Sequence, residues 1–241
     1  MSATLYIIGV GPGDPDLLTR KAFILLNQCS VIATPNGSKH GTSTALSIVE
    51  KAMDISHKEI HHLHFPMQKI HGDSGPPEDV QKAWISAAEQ VIALLAAGKD
   101  VAFPTLGDPA IYSTGYYLYG TILSLQKDTN IVFVPGIAAM SSCSASTGVP
   151  ICLGDDKLAV IPATFSMDDI QDILEKFDTI VLMKVHKVLD QLITLFSKLG
   201  LLEKAILVER AGMENECIHP KLDEIEGQVH YFSTIIVSKR L

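Results

Sequence analysis

Three times this chain runs from a short apolar stretch, through a turn built on glycine and proline, into small or helix-forming residues. The stretches are YIIGVGPGDPDLLT (6–19), VAFPTLGDPAIYST (101–114) and VFVPGIAAMSS (132–142). A strand that feeds a helix and is followed by another strand must cross over, and successive crossovers build a parallel sheet covered on both faces. Strand-like runs fall at Leu5–Gly9, Val31–Thr34, Ile60–Phe65, Val101–Thr105 and Ile131–Val134. Helical patterns lie between them at Asp16–Asn27, Thr42–Ala52, Glu78–Ala97 and Tyr112–Gln126. The strands are short and apolar on both faces, as a two-sided sheet requires.

A second set follows, with strands at Leu158–Ile161, Ile180–Lys184, Ala205–Glu209, Cys217–His219 and Thr234–Ser238 and helices at Met167–Phe177 and Leu189–Leu199. Ser141–Thr147 is small and polar and leads into GVPICLGDD, which places a boundary near residue 155. The expectation is an α/β chain of two unequal domains, 1–155 with a mostly parallel sheet and 156–241 with a mixed one. No run reaches the roughly 20 apolar residues of a membrane span. GPGD interrupts the N-terminal apolar run before a secretory signal could form. A formal charge of −8 argues against a nucleic-acid partner, which needs clustered Lys and Arg. Cys29, Cys143, Cys152 and Cys217 are widely spaced, without a CxxC pair. They read as neutral thiols in a reducing cytoplasm, with no metal site.

The first loop looks like a dinucleotide fingerprint but departs from it. Gly9 and Gly11 fit GxGxxG, yet Asp14 fills the third glycine's slot, and SVIATPNG offers no acid at the end of the second strand. Asp14 suits an N-cap, Pro15 the first helical position and Asp16 the first turn. Two carboxylates then crowd the place where a pyrophosphate would sit, and they repel it. This loop, Gly107-Asp108-Pro109 and Pro135-Gly136 leave three strands at one sheet edge, where open parallel sheets bind ligands.

The ordered set GVGPGDPDLLT, TLGDPAIYST, VPGIAAMSSCSASTGVPI, VLMKV, VERAG and STIIVSK resembles the tetrapyrrole methylase family, the class III S-adenosylmethionine-dependent methyltransferases. The resemblance covers nearly the whole chain. Within the family, HLHFPM and LGDPAIYST look most like the C20-methyltransferases acting on precorrin-2 or cobalt-factor II in cobalamin biosynthesis. It implies a cytoplasmic homodimeric enzyme with its substrates between two α/β domains, and S-adenosyl-L-methionine as methyl donor. Carried over by motif, the cofactor contacts are Pro12, Leu106, Gly107, Asp108, Ile111, Ala138, Ala139, Met183, Ala211, Ser233 and Thr234. The tetrapyrrole side takes Gly11, Asp14, Tyr112, Ser113, Thr114, Lys184 and His186. Asp108 is the catalytic candidate, accepting the proton lost from the methylated carbon; its other readings are a cofactor contact or the cap of a helix beginning at Pro109.

The chemistry suits these residue types. S-adenosylmethionine has no phosphate, so it needs backbone donors and acceptors, apolar contacts for adenine and acceptors near the sulfonium. Methyl transfer is an in-line displacement that rests on holding nucleophile and methyl about 3–3.5 Å apart. A corrinoid precursor carries many carboxylates, so an acidic protein needs local cations, for which Lys184, His186, Lys187 and Arg210 are the candidates. His57, His61, His62, His64 and His71 read as a partly exposed strand and loop, with His62 and His64 on one face. Tyr116, Tyr117 and Tyr119 suit packing or an interface. The alternatives are a relative acting at another ring position or on rRNA or protein, a non-catalytic ligand-binding module, and a nucleotide-dependent oxidoreductase. The acidic surface and the YST helix start disfavour a macromolecular substrate. TLGDP, where uroporphyrinogen methylases usually carry GGDP, disfavours that neighbour.

Overall fold

The computed structural model describes residues 3–37, 43–66 and 75–241, in two compact units, 3–138 and 139–241. Unit one contains β1 (Thr4–Gly9), α1 (Arg20–Gln28), β2 (Val31–Asn36), α2 (Thr44–Ala52), β3 (Glu59–His64), α3 (Glu78–Ala96), β4 (Val101–Thr105), α4 (Gly115–Leu125) and β5 (Asn130–Val134). Its five strands are all parallel, in the order β3-β2-β4-β1-β5.

Alternation along each strand divides the core into two layers. Leu5, Ile7, Val31, Ala33, Val101 and Phe103 pack with α3 and α4. Ile8, Val10, Ile32 and Ala102 point the other way and pack with α1 and α2. The order has a consequence for ligands. After β1 the chain moves toward β2 on one side, whereas after β4 it moves toward β5 on the other. Adjacent strands whose connections diverge open a crevice beyond their carboxyl ends. The loops leaving β1 and β4 are the first two glycine loops of the sequence.

Unit two contains α5 (Ala139–Thr147), β6 (Leu158–Pro162), α6 (Met167–Lys176), β7 (Thr179–Met183), α7 (Leu189–Leu199), β8 (Ala205–Glu209), β9 (Cys217–His219) and β10 (Ser233–Ser238). The order is β6-β7-β10-β8-β9; β6 and β7 are parallel and the other pairs antiparallel. Ile180, Leu182, Leu207, Ile235 and Val237 pack with α6 and α7, while Val181, Val208 and Ile236 pack with Cys143 of α5.

Several elements differ from the expected ones. Asp14 and Pro15 open only a short 3-10 turn, Pro15–Leu17; α1 begins at Arg20, where the Thr19 hydroxyl accepts the Ala22 N–H at 3.2 Å. Leu18 is extended, so the expected helix Asp16–Asn27 is broken into two pieces. The helix expected from Tyr112 begins at Gly115, because Tyr112 sits at φ 50°. The small, polar stretch that leads into the expected boundary near residue 155 is part of α5. Its residues lack an apolar stripe, but Ala, Ser, Cys and Thr let the helix lie close on β10. The compact units divide there, at 138/139 rather than near 155. His71 and the expected helix start at Thr42 lie outside the described residues.

The start of α4 fixes the loop that precedes it. A Cβ on Gly115 would stand 2.6 Å from the Ile7 side chain, so only glycine brings the helix this close to β1. Gly120, one and a half turns later, would meet nothing within 4 Å. Gly115→Ala is expected to cost about 1–3 kcal/mol by overpacking. Gly120→Ala is expected to stabilise by about 0.5–1 kcal/mol through helix propensity. Urea unfolding of both variants checks the contrast; equal effects would mean that α4 does not seat on β1 as described.

Candidate active site

The three glycine loops of unit one interlock. The Val10 N–H donates to Thr105 O at 3.0 Å, extending the β1–β4 ladder past its end. Gly11 and Gly107 then exchange two hydrogen bonds, Gly11 N to Gly107 O at 3.2 Å and Gly107 N to Gly11 O at 2.7 Å. Both glycines are left-handed, at φ 79° and 72°, a conformation that penalises any side chain. The loop leaving β5 closes in from the other side. A Cβ on Gly9 would lie 2.6 Å from Gly136 N and 2.7 Å from Gly107 O, and one on Gly136 would strike Gly107 O.

Asp108 ties this edge together. Its Oδ1 accepts the Ala110 N–H at 2.7 Å, and its Oδ2 accepts the Gly136 N–H at 2.9 Å. The expectation of a helix capped at Pro109 is corrected here: residues 109–112 form a turn, and the carboxylate bridges two strand exits. Pro12 is buried in the first loop, while Leu106, Ile111 and Asp14 are half-buried. Asp14 Oδ1 accepts the Asp16 N–H at 2.8 Å. Ser113 is occupied within the fold, its hydroxyl 2.7 Å from the Thr105 hydroxyl and accepting the Gly115 N–H at 3.0 Å. Thr114 precedes α4 without a side-chain capping bond, and Tyr112 is exposed. Although the side chain is half exposed, partial desolvation raises the Tyr112 hydroxyl above the ordinary phenol range. Ala138 is buried just beyond the third exit.

Unit two gathers its predicted residues at one edge of its own sheet. The register pairs Thr234 with Met183 on β7 and with Val208 on β8, and Ser233 with Glu209. Ala211 follows β8 and is buried. The Thr234 side chain hydrogen-bonds the Cys143 thiol, which burial pushes up to about 12. Ala139, the first residue of α5, is half-buried.

Two non-glycine residues at this edge are left-handed, Lys184 after β7 at φ 61° and Arg210 after β8 at φ 53°. Such conformations cost of order 1–3 kcal/mol and cluster at functional sites. The Arg210 N–H continues the ladder to Phe232 O at 2.6 Å, which holds the backbone in place. Its side-chain Nε is buried without a hydrogen-bond partner among the described residues, as is Nδ1 of His186. The His186 ring packs edge-on to Tyr231, 5.1 Å between centroids. Burial first, then the charges of Lys187 and His230, lower the tendency of His186 to protonate. The open Arg210 Nε is a buried donor that calls for an acceptor from outside the fold, whereas His186 Nδ1 donates or accepts according to its tautomer.

The His cluster divides as its alternation implies. His61 pairs with Glu59 at 2.8 Å, while Nδ1 of His62 lies 3.4 Å from Asn36 Nδ2. His64 ends β3 and so lies at the carboxyl end of the same parallel sheet as the glycine loops, two strands from β4.

The profile of the Tetrapyrrole (Corrin/Porphyrin) Methylases matches residues 4–226. The chain belongs to the tetrapyrrole methylase family. It is 33% identical over 242 residues to the cobalt-precorrin-2 C(20)-methyltransferase of Salmonella typhimurium, covering 100% of this chain and 98% of the relative. It is 32% identical over 233 residues to the precorrin-2 C(20)-methyltransferase of a Sinorhizobium species, covering 95% and 93%. Among solved structures it resembles the Thermus thermophilus uroporphyrin-III C-methyl transferase complexed with S-adenyl homocysteine, with a TM-score of 0.66, 20% identity and 98% of each chain covered. That likeness establishes the two-unit α/β architecture of this tetrapyrrole methylase.

Sequence reasoning thus located the loops of both edges but missed how they are joined. Nothing in the motif says that Asp108 reaches Gly136, 28 residues away; the only hint was that both sit at strand exits. This alters what Asp108→Asn should do. An amide presents one acceptor and one NH2, so it can satisfy Ala110 or Gly136 but turns a donor toward the other. The expected cost is about 1–3 kcal/mol, the penalty for an unmatched donor, where a simple cap would tolerate Asn almost freely. Chemical denaturation reads this directly; an unchanged unfolding midpoint would show that the bridge carries no stability.

Proposed function

We propose that this tetrapyrrole methylase is an S-adenosylmethionine-dependent C-methyltransferase that methylates C20 of precorrin-2 or of cobalt-factor II in cobalamin biosynthesis. The observation that carries the reading is full-length identity of about one third to relatives named for that reaction, including cobalt-precorrin-2 and metal-free precorrin-2 enzymes. The geometry of each unit is in keeping with it. In unit one, Pro12, Leu106, Gly107, Ile111 and Ala138 offer a backbone-rich, small-walled edge at the sheet's switch point. In unit two, Met183, Ala139, Ala211, Ser233 and Thr234 offer apolar and hydroxyl contacts for an adenosyl group. In unit two, Arg210, with its open buried Nε, together with Lys184 and His186 suits the carboxylates of the tetrapyrrole; in unit one the candidates for it are Gly11, Asp14, Tyr112, Ser113 and Thr114.

Catalysis on this reading is mainly placement. The donor methyl and the ring carbon are held in line, the ring carbon's electron pair forms the new C–C bond, and the S–C bond breaks to give S-adenosylhomocysteine. The methylated carbon then gives up its proton. Asp108 is foremost a positioning residue, because each of its oxygens already accepts a backbone N–H. Each oxygen also keeps a lone pair, which preserves the second reading, Asp108 as proton acceptor.

Association into a homodimer is supported by an aromatic surface on α4. Tyr116 and Tyr117 are 49% and 45% exposed, yet they stack on Phe133 and Trp84 with centroids 4.5 Å apart. Rigid, exposed aromatics of this kind are enriched where proteins meet. No helix among the described residues is long and apolar enough to cross a membrane.

S-adenosylhomocysteine is expected to raise the melting temperature, with about 2.7 kcal/mol of stabilisation at 100 times its dissociation constant, and NAD to have no effect. A folded Ala138→Leu variant should lose that shift. Methyl transfer assayed on precorrin-2 and cobalt-factor II, with the product carbon fixed by NMR, tests the substrate; methylation elsewhere on the ring would overturn the C20 reading. Asp108→Asn separates the two roles. Weakened S-adenosylmethionine affinity with near-normal turnover at saturation marks positioning, whereas a fall in saturated turnover of about 10²-fold or more marks the proton acceptor.

A further inference from the structure

A group of side chains on the last two strands of the second sheet, β8 and β9, has a different chemistry. Glu209 ends β8 and is the register partner of Cys217 on antiparallel β9, so their side chains share one face. His219 lies two residues beyond Cys217 and returns to the same face. One donor atom from each of the three lies within 4.8 Å of the other two, and Glu209 Oε1 is 2.8 Å from His219 Nε2. For bonds of about 2.0–2.3 Å, tetrahedral geometry sets donors roughly 3.3–3.8 Å apart. The cluster reaches that spacing if the Glu209–His219 contact opens slightly and the thiol moves in.

We propose that Glu209, Cys217 and His219 form a three-donor site for a divalent transition-metal ion of the zinc type, with its fourth position open to water. One thiolate, one imidazole and one carboxylate make a borderline-soft set that favours such an ion over magnesium or calcium. The Oε2 of Glu209 accepts the His230 N–H, an outer partner that orients the carboxylate as metal-binding carboxylates are oriented. Burial alone would raise the Glu209 carboxyl. The His230 N–H, His219 and Arg210 outweigh it and hold the group below the ordinary range, so it is ionised at neutral pH. All three residues are half-buried, which leaves an ion a way in. Two anionic donors outweigh the one nearby cation, Arg210.

Binding balances simply. The Cys217 S–H bond breaks, its proton passes to solvent and the sulfur donates a pair to the metal. The hydrogen that His219 Nε2 directs at Glu209 is given up to solvent while Nδ1 takes one, so that the neutral imidazole donates its Nε2 lone pair and the net release stays at one proton. The sequence conceals the site because Cys-x-His is no zinc spacing on a helix or loop, and becomes a pair only on a strand.

The test is titration of the purified full chain with Co²⁺ as spectroscopic probe, followed by Zn²⁺ displacement. The expected result is a tetrahedral visible spectrum with a sulfur-to-cobalt charge-transfer band, abolished by Zn²⁺, and about one proton released per ion bound. Cys217→Ser should remove the charge-transfer band and weaken Zn²⁺ binding beyond the roughly 10–100-fold that loss of an outer-shell partner costs. His219→Gln should weaken it likewise, and Cys152→Ser, at the exposed cysteine, should change nothing. A weak octahedral spectrum in the wild type would overturn the proposal. So would a sulfur band that survives Cys217→Ser or vanishes with Cys152→Ser. Melting of each metal-free variant confirms that the comparison is between folded proteins.

Discussion

The close approach of three backbones at Gly9, Gly107 and Gly136 is the constraint on which unit one depends. Parallel strands converge on one edge, and their exits must separate or touch. Here they touch, because Gly9, Gly107 and Gly136 have no Cβ and Gly107 exchanges two hydrogen bonds with Gly11, both in left-handed conformations. Asp108 then supplies the one charged contact, binding the third exit to the second. A side chain at Gly9 or Gly136 would have to displace backbone, which no rotamer change can relieve. The edge is rigid for the same reason that it is small-walled, and both properties suit a site whose task is placement.

Unit two solves a related problem differently. Its sheet is mixed, with β10 running back between β7 and β8, so the ends of two strands and the start of a third meet at one edge. The turns there use Lys184 and Arg210 in the left-handed region rather than glycine. Glycine would have been less strained at both positions, so the strain is tolerated for the side chain. Cationic side chains at the exits of an otherwise acidic protein concentrate positive charge where an anionic ligand would be received.

Much of this was legible beforehand, because alternation and turn chemistry are local. Most strands fell within a residue or two of their observed bounds, with β2 running two residues further, since a continuous apolar run flanked by Gly, Pro or Ser has few other interpretations. The errors fall where a distant partner decides. Thr19, which caps α1, comes four residues after the proline that seemed to start it. Gly115 marks the start of α4 because Ile7 leaves no room for a side chain there. The stretch AMSSCSAST has no periodicity to reveal a helix, since its partner β10, almost 90 residues later, rewards smallness rather than an apolar stripe. The site showed the same division: its loops could be read as motifs, but the Asp108–Gly136 bond and the Glu209–Cys217–His219 face exist only through register.

The hydrogen-bond inventory of the glycine loops also explains why a chain that opens like a dinucleotide-binding protein need not bind one. A phosphate cradle works by leaving backbone N–H groups unpaired and aimed at the anion. Here the N–H of Val10 is given to Thr105, those of Gly11 and Gly107 to each other's carbonyls, and that of Gly136 to Asp108. The helix that should follow the first loop at once is delayed to Arg20, and its leading turn is capped by the carboxylate of Asp14. These four donors are therefore already committed, and the carboxylates of Asp14 and Asp16 stand where a phosphate would approach. A sulfonium cofactor places the opposite demand on the same backbone, because its positive centre is stabilised by carbonyl and carboxylate oxygens. Carbonyls keep a second lone pair after accepting one N–H, so an edge with these donors committed can still offer acceptors. The pairing that closes the loops to phosphate is compatible with a methyl donor.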